Sequence, residues 1–230
     1  MITWLEHGKI RLALHELRPA SGSPATANHS GNGPEAHPLL VLHGLGQASP
    51  ATPPEYSADW PGSVFALDFT GHGASTVPVG GGYTSEILMA DADTALDAIG
   101  AATVVGCGLG AYIALLTAGG RPSQVRGVAL CDGPGLFGGS PGPVSAVIRT
   151  PDPGKTSPPD PFALSELAGD IRPPDYAVTY AHQALGSSGI ENPVAICARS
   201  RPDWLSAVVS EPGVIETDLD TALKSFATQA

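Results

Sequence analysis

TVVGCGLGAY, residues 103–112, is the stretch on which the fold turns. Its first half is apolar and β-branched, as in a buried strand. Its second half opens an apolar helix, LGAYIALLTAG over residues 109–119, with Gly119-Gly120 expected to close it. Glycines crowd the join. The frame Gly106-Cys107-Gly108-Leu109-Gly110 has the spacing of G-x-S-x-G, a sharp strand-to-helix turn whose flanks must be small and whose apex normally carries a serine. Here the apex is Gly108, which has no side chain.

Working outward, the same alternation of strand and helix recurs. Upstream, LLVLHG (39–44) and SVFALD (63–68) are short continuous apolar runs, the pattern of strands buried on both faces. Residues 84–99 place Leu88, Ala92, Ala95, Leu96 and Ile99 at helical spacing, with Thr84 as N-cap. KIRLALHEL (9–17) alternates as a half-buried strand and pairs with residues 1–6 through His7-Gly8. Downstream, RGVALC (126–131) and PVAICA (193–198) are further strands, 174–186 a short helix, Ser206–Val209 a weak strand, and Asp218–Ala227 a helix. Strands alternating with helices imply an α/β fold, a mostly parallel sheet flanked by helices, within a single domain over residues 1–230. The polar stretch 19–37 is expected to be a flexible loop, and residues 133–190, Gly/Pro-rich at their start, a reduced cap region.

Composition narrows the function. The chain of 230 residues is 42% hydrophobic, has a formal net charge of −11 and a pI near 4.8. No cluster of Lys and Arg offers a phosphate-binding surface, so nucleic acid is excluded as a partner. No apolar run approaches the roughly 20 residues that span a bilayer, and the N-terminus mixes charge with apolar residues unlike a signal peptide. No membrane partner and a cytoplasmic location are the expectation. The three cysteines, Cys107, Cys131 and Cys197, are an odd count without C-x-x-C pairs or zinc spacing, so neither a disulfide framework nor a metal is expected.

Three turns in order carry a resemblance: His43-Gly44-Leu45-Gly46 after one buried strand, Asp68-Phe69-Thr70-Gly71-His72-Gly73-Ala74-Ser75 after the next, and the glycine turn at 106–110. The series resembles the α/β-hydrolase superfamily, closely over about residues 1–132 and loosely beyond. The resemblance implies a serine at position 108, an oxyanion hole made by the N–H groups of Leu45 and Leu109, a histidine after the last strand, and an acid to orient it. It also places Cys131 and Cys197 on strands adjacent to that of Cys107. The chain departs from the family pattern twice. Gly108 removes the nucleophile, and no histidine follows His182.

The remaining candidates have two readings each. Cys107, one place before the apex, is a thiol nucleophile or a small residue ending a buried strand. Asp132 and Asp203 stand where the acid belongs, or serve as caps and loop residues. His182 is a site residue or a surface helix residue. A dinucleotide turn is the other reading of Gly106–Ala111, with Asp132 placed 21 residues beyond Ala111. That fingerprint belongs on the first strand–helix unit, however, and leaves the two upstream loops without a role. The expectation is a degenerate α/β hydrolase without hydrolytic activity or cofactor. It would keep a pocket at His43, Gly44, Leu45, Gly108 and Leu109 for a small apolar or ester-like ligand. The alternatives are an active ester or thioester hydrolase using Cys107 with His43, His72 or His182, and an interaction protein with a vestigial site.

Overall fold

The computed structural model describes residues 1–20, 36–137, 154, 157–170 and 173–229. Eight strands form one sheet: β1 (Ile2–His7), β2 (Ile10–Arg18), β3 (Leu39–Leu42), β4 (Val64–Asp68), β5 (Ala102–Cys107), β6 (Val125–Cys131), β7 (Val194–Ile196) and β8 (Val214–Glu216). Their spatial order is β1-β2-β4-β3-β5-β6-β7-β8. β1 and β2 form the expected antiparallel hairpin, β2 is antiparallel to β4, and every later pair is parallel. β3, β5 and β6 are buried along most of their length because both faces of the sheet are covered.

Two apolar layers flank the sheet. On one face, Leu40, Leu42, Val104, Val128, Leu130 and Ile196 meet α1 (Ser85–Ile99), α2 (Leu109–Gly120), α4 (Pro174–Ser187) and α5 (Asp203–Val209). On the other, Leu39, Val41, Val105, Ala129 and Ala195 meet Trp60 and α6 (Leu219–Thr228). Thr84 caps α1 by accepting from the Ile87 N–H, and Asp218 caps α6 through Thr221. α2 is buried along nearly its whole length and runs through Gly119 and Gly120 rather than ending before them. A Cβ on Gly119 would stand 2.5 Å from the Tyr180 carbonyl oxygen and 2.6 Å from its Cα, so the glycine is there to let α4 approach α2.

Two expectations need correction. Ser206–Val209 is not a strand: it lies in helix α5, whose buried Trp204, Leu205 and Val208 follow helical spacing, and the strand is Val214–Glu216. The Gly/Pro-rich region also holds an unforeseen helix, α3 (Pro161–Gly169). Asp160 is its N-cap and Pro161 its first residue, an arrangement in which a missing N–H costs nothing. Most of the expected loop at 19–37 lies outside the described residues, as do 138–153, 155–156 and 171–172 of the expected cap. No helix among the described residues is long and apolar enough to cross a membrane.

Candidate functional site

β5 passes into α2 at Gly108, whose φ of +60° and ψ of −121° lie where residues with a Cβ are strained. The flanking glycines are fixed by contact. A Cβ on Gly106 would sit 2.6 Å from the Ala111 Cα, and one on Gly110 would sit 2.6 Å from the His43 carbonyl oxygen. The turn therefore keeps the full geometry of a strand–helix elbow and presents a bare backbone at its apex.

The two N–H groups expected to face an oxyanion do converge. Both meet the same acceptor: Leu45 N–H and Leu109 N–H each donate to the carbonyl oxygen of Pro134, at 2.9 Å. Pro134 belongs to the turn Gly133-Pro134-Gly135-Leu136 that follows β6. The turn is held at its far end, where the Leu136 N–H donates to the Gly133 carbonyl at 3.3 Å and Trp204 Nε1 donates to the Leu136 carbonyl at 2.8 Å. Leu136 itself is buried. The Gly108 apex was expected to leave room for a ligand. That space is filled: a Cβ on Gly108 would collide with the Pro134 oxygen and lie 2.5 Å from the Gly133 carbonyl carbon, and one on Gly44 would lie 2.9 Å from the same Pro134 oxygen.

The histidines near this site are committed to the backbone. His43 Nε2 accepts the Phe69 N–H at 3.2 Å, which places the ring proton on Nδ1, 2.8 Å from the Gly44 carbonyl. His72 repeats the pattern, accepting from the Gly46 N–H at 3.2 Å and facing the Thr70 carbonyl at 3.1 Å. Burial drives the His43 pKa down to about 4, with the neighbouring His72 adding to the shift, and burial lowers that of His72 as well. Both rings are neutral braces for the loops after β3 and β4. His182 is elsewhere, exposed on α4 and paired with Glu211 at 2.5 Å.

The carboxylates divide similarly. Asp132 ends β6 and accepts the N–H groups of Arg199 and Ser200 at 2.7 and 3.0 Å. Burial works upward on its pKa, but these bonds outweigh it and hold the carboxyl below its ordinary range. It braces the loop after β7. Asp203 is exposed in the first turn of α5. Cys107 is half-buried, and the thiol beside it is that of Cys131, its register partner on β6.

Three residues shape the surroundings without having been foreseen. Asp160 is buried, accepts the Tyr83 hydroxyl at 2.6 Å and caps α3. Glu166 of α3 accepts the N–H groups of Gly82 and Tyr83 at 2.7 and 2.6 Å. These bonds dock α3 over the His43–Gly46 loop, where Leu164 stands 2.9 Å from the place of a Gly46 Cβ. A sequence signal existed for α3, the Asp-Pro pair at 160–161. None existed for Pro134, which acts through its carbonyl. Among the described residues no group of three or more His, Cys, Asp or Glu is arranged to hold a metal ion.

Known structures share this architecture. A serine-to-alanine variant of N-formylmaleamic acid deformylase from Pseudomonas putida aligns at 14% identity over 95% of this chain and 92% of its own, with a TM-score of 0.64. The thioesterase domain of the curacin biosynthetic pathway aligns at 15% over 99% and 96%, TM-score 0.59. Est1E from Butyrivibrio proteoclasticus, solved with ferulic acid bound, aligns at 11% over 98% and 96%, TM-score 0.58. At these identities the likeness concerns the fold. Other matches are partial: the chain spans 43% of the length of a proline iminopeptidase from Mycobacterium smegmatis. No curated protein sequence matches the chain. Residues 39–228 match the alpha/beta hydrolase family as a whole. With that match, the strand order and the elbow after β5, the chain belongs to the alpha/beta hydrolase family.

Proposed function

We propose that this protein is a non-hydrolysing member of its family, whose former reaction centre is closed by its own main chain. The observation that carries the reading is the shared acceptor: the N–H groups of Leu45 and Leu109 both end on the Pro134 carbonyl oxygen. A family hydrolase uses such a pair to stabilise charge developing on a substrate oxygen. Here the pair is already satisfied by a neutral peptide oxygen, at a net gain of about 1 kcal/mol per bond. The apex offers no atom to attack with, and the two nearby imidazoles offer no free lone pair to act as a base.

The same geometry supports binding of a small carbonyl- or carboxylate-bearing ligand. Such an oxygen matches what the two N–H groups now hold, and it enters only if the Gly133–Gly135 turn moves aside. Ester-like ligands fit this requirement, as does a hydroxycinnamic acid such as the ferulic acid bound to Est1E. The reading calls for no cofactor.

The test is an assay of the purified protein against short-chain aryl esters and acyl thioesters, beside Cys107→Ala. The expected result is no turnover above the buffer rate in either protein. Turnover in the wild-type protein that disappears in Cys107→Ala overturns the reading and makes Cys107 a nucleophile. The binding part is read separately, from the backbone amide resonances of Leu45 and Leu109 during titration with ferulate. Both are expected to shift together, and unchanged resonances at saturating ligand overturn it.

A further inference from the structure

The three cysteines form a feature that the closed elbow does not explain. β5, β6 and β7 are consecutive neighbours in the sheet, and Cys107 is the register partner of Cys131. Leu130 pairs with Ile196, so Cys197 follows β7 beside Cys131, with its N–H donating to the Leu130 carbonyl at 2.8 Å. Side-chain alternation puts all three thiols on one face. Val105, Ala129 and Ala195, two residues earlier on each strand, lie in the layer covered by α6 and Trp60. Cys131 and Cys197 pack against that layer beside Tyr56. The result is a row of three thiols at the C-terminal ends of three parallel strands. All three are reduced and only partly buried. Cys131 stands in the middle, next to both others.

We propose that this row is a peroxide-responsive site in which Cys131 forms a reversible disulfide with a flanking cysteine, Cys107 first. Adjacent strands lie about 4.8 Å apart, inside the roughly 4.4–6.8 Å between Cα atoms that a disulfide bridges. The sulfur of Cys107 attacks one peroxide oxygen. An S–O bond forms, the O–O bond breaks, and one water leaves. The Cys131 sulfur then attacks the sulfur of the resulting sulfenic acid. The S–S bond forms, the S–O bond breaks, and a second water departs with the Cys131 proton. Two thiols are oxidised and the peroxide is reduced to water. The strand order sets the roles: Cys131 neighbours both other thiols and can resolve a sulfenic acid on either flank, and its proximity lowers the Cys107 and Cys197 pKa while its own is raised. Cys197 is left as a free thiol beside the bridge, placed to exchange with it.

Stoichiometric hydrogen peroxide added to the folded protein, followed by thiol titration and peptide mapping under denaturing conditions, tests this. The expected result is a fall from three free thiols to one, a Cys107–Cys131 cross-linked peptide as the first product with Cys131–Cys197 arising only later by exchange, and full reversal by dithiothreitol. Cys107→Ser and Cys197→Ser are each expected to retain one cross-link, and Cys131→Ser to take up oxygen without an intramolecular bridge. The wild-type map does not depend on whether a variant folds. Three thiols persisting, a Cys107–Cys197 bridge, sulfinic acid in place of a bridge, or a bridge formed equally fast in urea-unfolded protein overturns the proposal.

Discussion

The Leu109 N–H donates to the Pro134 carbonyl oxygen at 2.9 Å, across the apex of a turn that has no side chain of its own. Leu109 is the first residue of a helix and Pro134 belongs to a turn following the next strand, so the bond joins two elements at the rim of the sheet. Neither residue is chemically reactive. The bond nonetheless places the Pro134 oxygen in front of the apex.

Gly108→Ser is the first consequence. The substitution places a Cβ against the Pro134 oxygen and asks a residue with a side chain to hold φ +60°. Strain of this kind costs about 1–3 kcal/mol. The expected outcome is a melting temperature lower by several degrees and no ester turnover, checked by calorimetry and by the assay above. A gain of turnover would mean that a base reaches the apex after all.

Trp204→Phe should loosen the same turn from its other end. It removes the indole N–H that holds the Leu136 carbonyl and keeps most of the apolar contact. The expected loss is about 1 kcal/mol. Amide hydrogen exchange should speed up at Leu45 and Leu109 well before it does at the strand amides of β5. Unchanged protection at those two amides would show that the turn holds without its anchor.

Stability should fall with acid over a defined window. His43 has a folded pKa of about 4 against an ordinary 6.5, set mainly by burial. Between those values the unfolded chain binds a proton that the folded chain refuses, so stability rises with pH there and is fully present above about 6.5. The contribution at stake is on the order of 3 kcal/mol for His43, with His72 and His37 shifted in the same direction. Urea midpoints measured from pH 4 to 8 should show this slope, and a His43→Asn protein should show a shallower one.

Gly119→Ala sets packing against propensity. In a solvent-exposed helix the change gains about 1 kcal/mol. Here the new methyl would lie 2.5 Å from the Tyr180 carbonyl oxygen of α4, and overpacking of this kind costs roughly 1–3 kcal/mol. A net loss of stability is expected in chemical denaturation. A stabilised variant would place α4 farther from α2 than described.

Much of this was legible in the chain because it is written in side chains and spacing. The buried runs at 39–44, 63–68, 102–107 and 126–131 correspond to β3 to β6, and the vacancy at Gly108 could be read directly. The closure of the site was not legible, because a carbonyl oxygen carries no residue identity. Gly133-Pro134-Gly135 announces a turn but not its direction. Residues 203–209 misled because Ser206–Val209 ends in β-branched residues, while the buried set that makes α5 a helix begins at Trp204. The thiol row needed the register of β5 against β6 before its members could be seen to share a face.

The Pro134 oxygen is tethered to the cradle it occupies, and this makes it a competitor at constant, high local concentration. Any outside ligand for the Leu45 and Leu109 N–H groups binds only the fraction of molecules in which the turn is displaced. Its apparent affinity is the intrinsic affinity multiplied by that fraction. The fraction is set by the anchors at Leu136 and Trp204, neither of which bonds the ligand's oxygen. On the proposed binding, affinity would thus be adjustable from a distance, by residues that change how often the molecule releases its own carbonyl.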